Sequence, residues 1–185
     1  MGNFIKSYEI TLKHEGGYSF DPDDAGGETY KGISRRFNPQ WSGWKIIDYS
    51  DKENLDNIED LQTQVFSYYR IMYWDKFQGD LIPDQDIANE LFDTSVNMGV
   101  HRAVSFLQES LNLLNRNQRN YSDIIEDGVF GKNTLKTLKK YLSIDKPLIL
   151  LKIMNVLQGM HYISYMNKSP VQEKYARGWF TRVEL

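Results

Sequence analysis

One carboxylate in this chain is placed to act as an acid. Glu15 closes the run Leu12-Lys13-His14-Glu15 and is followed at once by Gly16-Gly17-Tyr18. Phe4, Ile5, Tyr8 and Leu12 recur at helical spacing, which predicts an amphipathic helix over 3–14. Glu15 lies three positions beyond Leu12 and seven beyond Tyr8, so it continues the apolar face. A charged carboxylate on such a face is costly. A helix C-terminus also carries partial negative charge, and both effects raise a carboxyl pKa. Gly16 and Gly17 can end the helix in a left-handed conformation. A carboxylic acid that stays protonated near neutrality suits general-acid cleavage of a glycosidic bond. The competing reading is an ordinary solvated glutamate at a helix end.

The segment after Glu15 is crowded with Asp21, Asp23, Asp24, Glu28 and Thr29, with glycines at 26, 27 and 32. The glycines permit close backbone approach or unusual dihedrals. The aspartates alone could form no more than an Asx-rich turn. A calcium loop is excluded, because the position that needs a bidentate glutamate is Gly32.

The elements that must hold these groups read as mainly helical, with a small β hairpin or irregular loop around 18–34. Ile58, Leu61, Val65, Tyr68 and Met72 predict a helix over 58–76, capped by Asp56 or Asn57. Ile87, Leu91 and Met98 predict one over 85–98, on which Glu90, Asp93 and Asn97 share a polar face. Val104, Leu107, Leu111 and Leu114 predict a helix over 101–114. Residues 115–122, rich in Asn and Arg, read as an exposed loop and the best boundary between lobes. Asp127-Gly128 and Gly131 form a turn into a helix over 132–142. Pro147 suits the first position of a helix over 147–166 whose inward face is Leu150, Met154, Leu157 and His161. The terminal Gly178-Trp179-Phe180 is expected to dock back on the core. Trp41 and Trp44, in a turn-rich segment, offer flat faces that could stack on sugar rings, with core packing expected for at least one of them.

The stretch from Lys13-His14-Glu15-Gly16-Gly17-Tyr18 through Asp21-Pro22-Asp23-Asp24 and Gly26-Gly27 to Gly32-Ile33 resembles the signature of the glycoside hydrolase 108 muramidases. Further matching pieces are Tyr73-Trp74-Asp75, the run from Phe92-Asp93 to Asn97-Met98-Gly99, Asp127-Gly128 with Gly131, and Gly178-Trp179 with Arg182. The likeness covers nearly the whole chain, and includes the predicted peptidoglycan-binding region that follows in that family. It departs at Ser34, where the family often has Thr. The resemblance implies a lysozyme-like fold and a peptidoglycan N-acetylmuramidase, a bacteriolytic, prophage-style endolysin with Glu15 essential. It implies a catalytic lobe over 1–100 and a helical peptidoglycan-binding-like lobe over 101–185, or one compact domain. Asp24 and Thr29, nine and fourteen positions after Glu15, look like the Asp and Thr of phage-type lysozymes. Asp24, alone or with Thr29, would then hold water on the face opposite Glu15, with Asp21, Asp23 and Glu28 as competitors. An inverting reaction needs the carboxyls roughly 6.5–9.5 Å apart, whereas about 5 Å favours a covalent intermediate. Tyr18, Tyr30, Lys31, Trp41, Asp93 and Asn97 are the expected substrate contacts.

Composition bounds the rest. The chain has 185 residues, no Cys, and three scattered His at 14, 101 and 161. Disulfides and thiolate metal sites are excluded, and neither a metal nor a cofactor is expected. A net charge of -3 gives no footprint for nucleic acid. A positive groove for the acidic wall would have to come from Lys31, Arg35 and Arg36. The apolar run at 147–157 contains Lys152 and Asn155 and is too short to span a bilayer. The N-terminus lacks a basic region before a long apolar run, so synthesis in the bacterial cytoplasm without a signal peptide, and later release or export to the wall, is expected. A monomer is expected. The rival functions are a wall-binding protein without catalysis and a secretion-associated interaction protein.

Overall fold

In the computed structural model, which describes residues 1–13, 16–20 and 27–183, helix α1 spans Phe4–Leu12. Asn3 caps it by accepting the Lys6 amide through its side chain. Its buried positions are Phe4, Ser7 and Thr11, while Ile5 is exposed. The predicted face is thus rotated, and polar contacts set the phase. The Met1 ammonium donates to the Pro83 carbonyl at 3.0 Å, the Asn3 amide to Gln85 Oε1 at 2.8 Å, and Ser7 Oγ to Asn89 Oδ1 at 2.7 Å. These bonds lay α1 parallel to helix α4 (Gln85–Met98) in a fixed register.

The expected hairpin or loop is a three-stranded antiparallel sheet, β1 (Tyr18–Phe20), β2 (Glu28–Tyr30) and β3 (Ile33–Ser34). A two-residue turn joins β2 to β3, with Lys31 at φ 45° and Gly32 at φ 75°. Positive φ at both central residues is the primed geometry that matches strand twist.

Helices α2 (Gly43–Asp48) and α3 (Glu59–Met72) follow. The helix predicted over 58–76 stops at Met72, and a tight turn over Trp74–Phe77 replaces its last part. The Trp74 indole lies directly on Gly79, where a Cβ would come within 2.2 Å of the ring. It also donates to Asp80 Oδ1 at 3.0 Å. Neither Asp56 nor Asn57 caps α3; both belong to a separate short turn before it. Tyr69, not Tyr68 or Met72, is the buried member of its last turn.

Asp84 caps α4 by accepting the amides of Asp86 and Ile87. Helices α5 (Val100–Leu113), α6 (Lys132–Leu142), α7 (Pro147–Lys168) and α8 (Ala176–Phe180) complete the chain. Helix α4 sits between α1, α5 and α7. The buried apolar side chains form one connected core from Phe4 to Met154. The inward face of α7 is Leu150, Met154, Asn155, Gln158 and Tyr162. Leu157 and His161, expected inside, are only half-buried, because Asn155 and Gln158, bonded to Glu90 and Thr94 of α4, take inner positions. The loop at 115–122 is tied down. Asn115 is buried and bonds Asp123, Tyr121 donates to the Leu111 carbonyl at 2.8 Å, and Arg116 pairs with Asp145 at 3.2 Å. The tail docks as expected: Trp179 stacks on Tyr162 with ring centroids 5.1 Å apart.

Candidate active site

Glu15 and Asp24 lie outside the described residues, as do Asp21 and Asp23. The site is therefore built from what surrounds them in the chain: the sheet, the aromatic segment after it, and the polar face of α4.

Within β2, Thr29 and Tyr30 point to opposite faces, as successive strand residues must. Thr29 sits opposite Ser19 of β1 and Ser34 of β3, half-buried in a row of hydroxyls. Tyr30 goes the other way and is 1% exposed. Its hydroxyl donates to Asp56 Oδ1 at 2.9 Å and accepts from Gln62 Nε2 at 2.9 Å. Burial pushes its pKa up to about 12, so it remains a neutral phenol. The expectation that Tyr30 touches substrate is corrected: its ring has no face left for a sugar.

Lys31 is also engaged in holding the turn. Its ammonium reaches Asp56 Oδ1 at 3.0 Å and Gln62 Oε1 at 2.7 Å, and its carbonyl accepts the Tyr69 hydroxyl at 2.7 Å. The Lys31 and Tyr30 hydrogen bonds hold the Asp56 carboxyl below the usual carboxylate range. Tyr18, half-buried, donates to Glu28 Oε1 at 3.0 Å. Burial first, and the Glu28 hydrogen bond second, raise the Tyr18 pKa. The other Glu28 oxygen is 2.8 Å from Arg35 Nε. Glu28 is thus a strut of the sheet, which weakens its claim as the second catalytic carboxylate. Arg35 pairs again with Asp48 at 2.5 Å and lies over the Trp44 ring at 4.6 Å. Lys31 and Arg35, expected to help make a positive groove, are therefore spent in ion pairs.

The two tryptophans separate clearly. Trp44 is 3% exposed, and its indole donates to the Asn38 carbonyl at 2.8 Å. Trp41 is half-buried, packs edge-on against Trp44 at 5.1 Å, and rests on Gly43. It borders a cavity of about 330 Å³ with Pro39 and Lys45. Only Trp41 keeps surface for stacking.

On α4, Glu90, Asp93 and Asn97 do share one face, and all three are half-buried. Glu90 accepts from the Thr94 hydroxyl at 3.0 Å and from Asn155 Nδ2 of α7 at 3.0 Å. Asp93 binds Arg182 at 2.6 Å. A larger cavity, about 530 Å³, opens along this face between α4, α7 and the chain end. No sequence signal marked Asn155 as the α7 partner of Glu90. Arg182 stood in a matching motif, but its role as the Asp93 counter-ion needed the fold.

Residues 8–99 match the family described as Glycosyl hydrolase 108, and residues 102–184 match the Predicted Peptidoglycan domain. The chain belongs to the glycosyl hydrolase 108 family. The two matches support a peptidoglycan-related role, as a hydrolase or a binding protein. Its mainly helical, lysozyme-like fold with a small antiparallel sheet is similar to that in the structure of Brucella abortus SagA, at 22% identity and a TM-score of 0.63 over 97% of this chain and 88% of that one. At that identity the likeness is one of fold. No curated protein sequence matches this member of the family. Its two matched stretches meet at the bend between α4 and α5, where Gly99 adopts φ 88°. Among the described residues no helix is long and apolar enough to cross a membrane.

Proposed function

We propose that this chain is an N-acetylmuramidase that cuts the glycan strand of peptidoglycan by general-acid catalysis from Glu15. The observation that carries this reading is the family match over residues 8–99, which takes in Glu15, Asp24 and Thr29. The polar α4 face of Glu90, Asp93 and Asn97 lies within the same stretch. The Asn97 amide is suited to orient the acid or to bind a sugar acetamido group.

In the proposed reaction Glu15 gives its proton to the glycosidic oxygen as the bond to the anomeric carbon breaks. Water adds to that carbon, and its proton passes to Asp24, held alone or together with the Thr29 hydroxyl. Trp41 supplies an apolar face for a sugar ring.

The test is digestion of purified peptidoglycan by the wild type and by Glu15→Gln, with mass analysis of the fragments. N-acetylmuramic acid at new reducing ends, reduced about 10²–10⁴-fold or more in a variant with unchanged melting temperature, supports the reading. A folded wild type that sediments with walls and leaves the glycan intact would make it a wall-binding protein instead.

A further inference from the structure

The larger cavity holds a charge pattern that a glycan strand does not explain. Its walls come from both matched halves of the chain: α1 and α4 on one side, α7 and the chain end on the other. Asp86 of α4 and Lys152 of α7 both line it, and both are exposed. Neither forms an ion pair with the other or with any other described residue. Arg182 adds a second cation, already turned toward Asp93. Ile10 and Leu148 line the same space, 48% and 58% exposed. Glu90 and Asp93 line it as well, but both are tied to partners within the fold, Thr94 and Asn155 for the one and Arg182 for the other. Asp86 and Lys152 are the charges left for a ligand, and one anion and one cation beside exposed apolar side chains match a short peptide that carries a carboxylate, an amine and methyl groups.

Peptidoglycan carries such a peptide on its muramic acid residues. We propose that this cleft binds the wall's stem peptide, an assignment that rests on the muramidase reading for its choice of substrate. Lys152 faces a peptide carboxylate, Asp86 faces the amine of the diamino acid, and Ile10 and Leu148 cover the alanine methyls. The cleft's volume of about 530 Å³ falls within the common range for small-ligand sites, roughly 300–1,000 Å³. The enzyme would then favour peptide-bearing wall over bare glycan.

The experiment uses the full-length Glu15→Gln chain, so that binding is read without cleavage. It is titrated by calorimetry with the free stem tripeptide, in its lysine and diaminopimelate forms, and separately with the peptide-free disaccharide. The expected result is saturable tripeptide binding in the millimolar range or tighter. Lys152→Glu and Asp86→Lys, each at an exposed position, should weaken it about tenfold while the circular dichroism spectrum stays unchanged. No tripeptide binding, or binding that ignores both reversals, overturns the assignment. Displacement of the tripeptide by the bare disaccharide overturns it too, because the cleft would then be a sugar site. Tripeptide binding by a chain whose wild type cuts no glycan would sink the muramidase reading and leave this one standing.

Discussion

Thr29 and Tyr30 are neighbours in one motif, yet the sheet gives them opposite tasks. Tyr30 buries its ring and ties β2 to Asp56 and Gln62. Tyr30→Phe should therefore lower stability by about 1 kcal/mol, the usual loss for one internal hydrogen bond, and leave KM for peptidoglycan unchanged. Thr29 is half-buried beside Ser19 and Ser34 and carries little of the core. Thr29→Ala should melt within about 0.5 kcal/mol of the wild type and lose at least about tenfold in kcat. Melting curves and turnover on the same wall preparation separate the two. The Asp56 carboxyl adds a pH signature. Its pKa is lowered in the folded state, so its stabilising effect is present above the unfolded value near 3.8 and fades as pH falls through the lower folded value. The melting-temperature gap between wild type and Asp56→Asn should accordingly be full at neutral pH and close in strong acid. A gap that widened on acidification would contradict the hydrogen bonds from Lys31 and Tyr30. Sequence placed both members of the Thr29-Tyr30 pair in the site, since a motif records residue types without faces. Strand register is what divides them.

Elements with one dominant signal were legible, and those shaped by partners were not. Helix α6 runs over Lys132–Leu142, as the turn residues before it predict. Helix α3 was read to residue 76, but it stops at Met72, where Trp74–Phe77 form a tight turn with the Trp74 ring seated on Gly79. Helix α1 was read with Ile5 inward because apolar periodicity ignores hydrogen bonds, and its phase follows the bonds of Asn3 and Ser7 to Gln85 and Asn89 of α4 instead. The α7 face was misjudged for the same reason, its inner positions being Asn155 and Gln158. Of the site itself, the acidic loop and the polar α4 face were visible as residue types. The ion pairs that consume Glu28, Lys31 and Arg35 join distant elements and left no local mark. The β2–β3 turn carries a prediction at this scale. Gly32 sits at φ 75°, where a side chain is strained. Gly32→Ala should cost roughly 1–2 kcal/mol and lower kcat more than KM, since it shifts the strand that carries Thr29. Equal loss in a Thr29→Ala background would point to a general folding defect.

Across the whole molecule the family matches divide at 99–102, but the packing does not. Helix α4 belongs to the first half, yet its buried face meets α5 and α7 of the second. Ile87, Ala88, Leu91 and Phe92 are fully inaccessible in the intact chain, and one apolar cluster includes them together with Leu107, Leu138 and Leu150. Polar ties cross the same division, from Glu90 to Asn155 and from Asp93 to Arg182. Removing residues 101–185 would expose that apolar surface and strip those carboxylates of their α7 and tail partners together. Each fully buried side chain of this kind contributes about 1.5–3 kcal/mol, so losing several exceeds the net stability of an ordinary domain, roughly 5–15 kcal/mol. The fragment 1–100 made alone should therefore show no cooperative melt and no lytic activity, even though it keeps Glu15, Asp24 and Thr29. Mixing it with fragment 101–185 should restore both, because the two halves share one core. A fragment 1–100 that melts cooperatively and cuts peptidoglycan by itself would show that the catalytic half holds its own core, and the α4 surface would then be an interface between two domains.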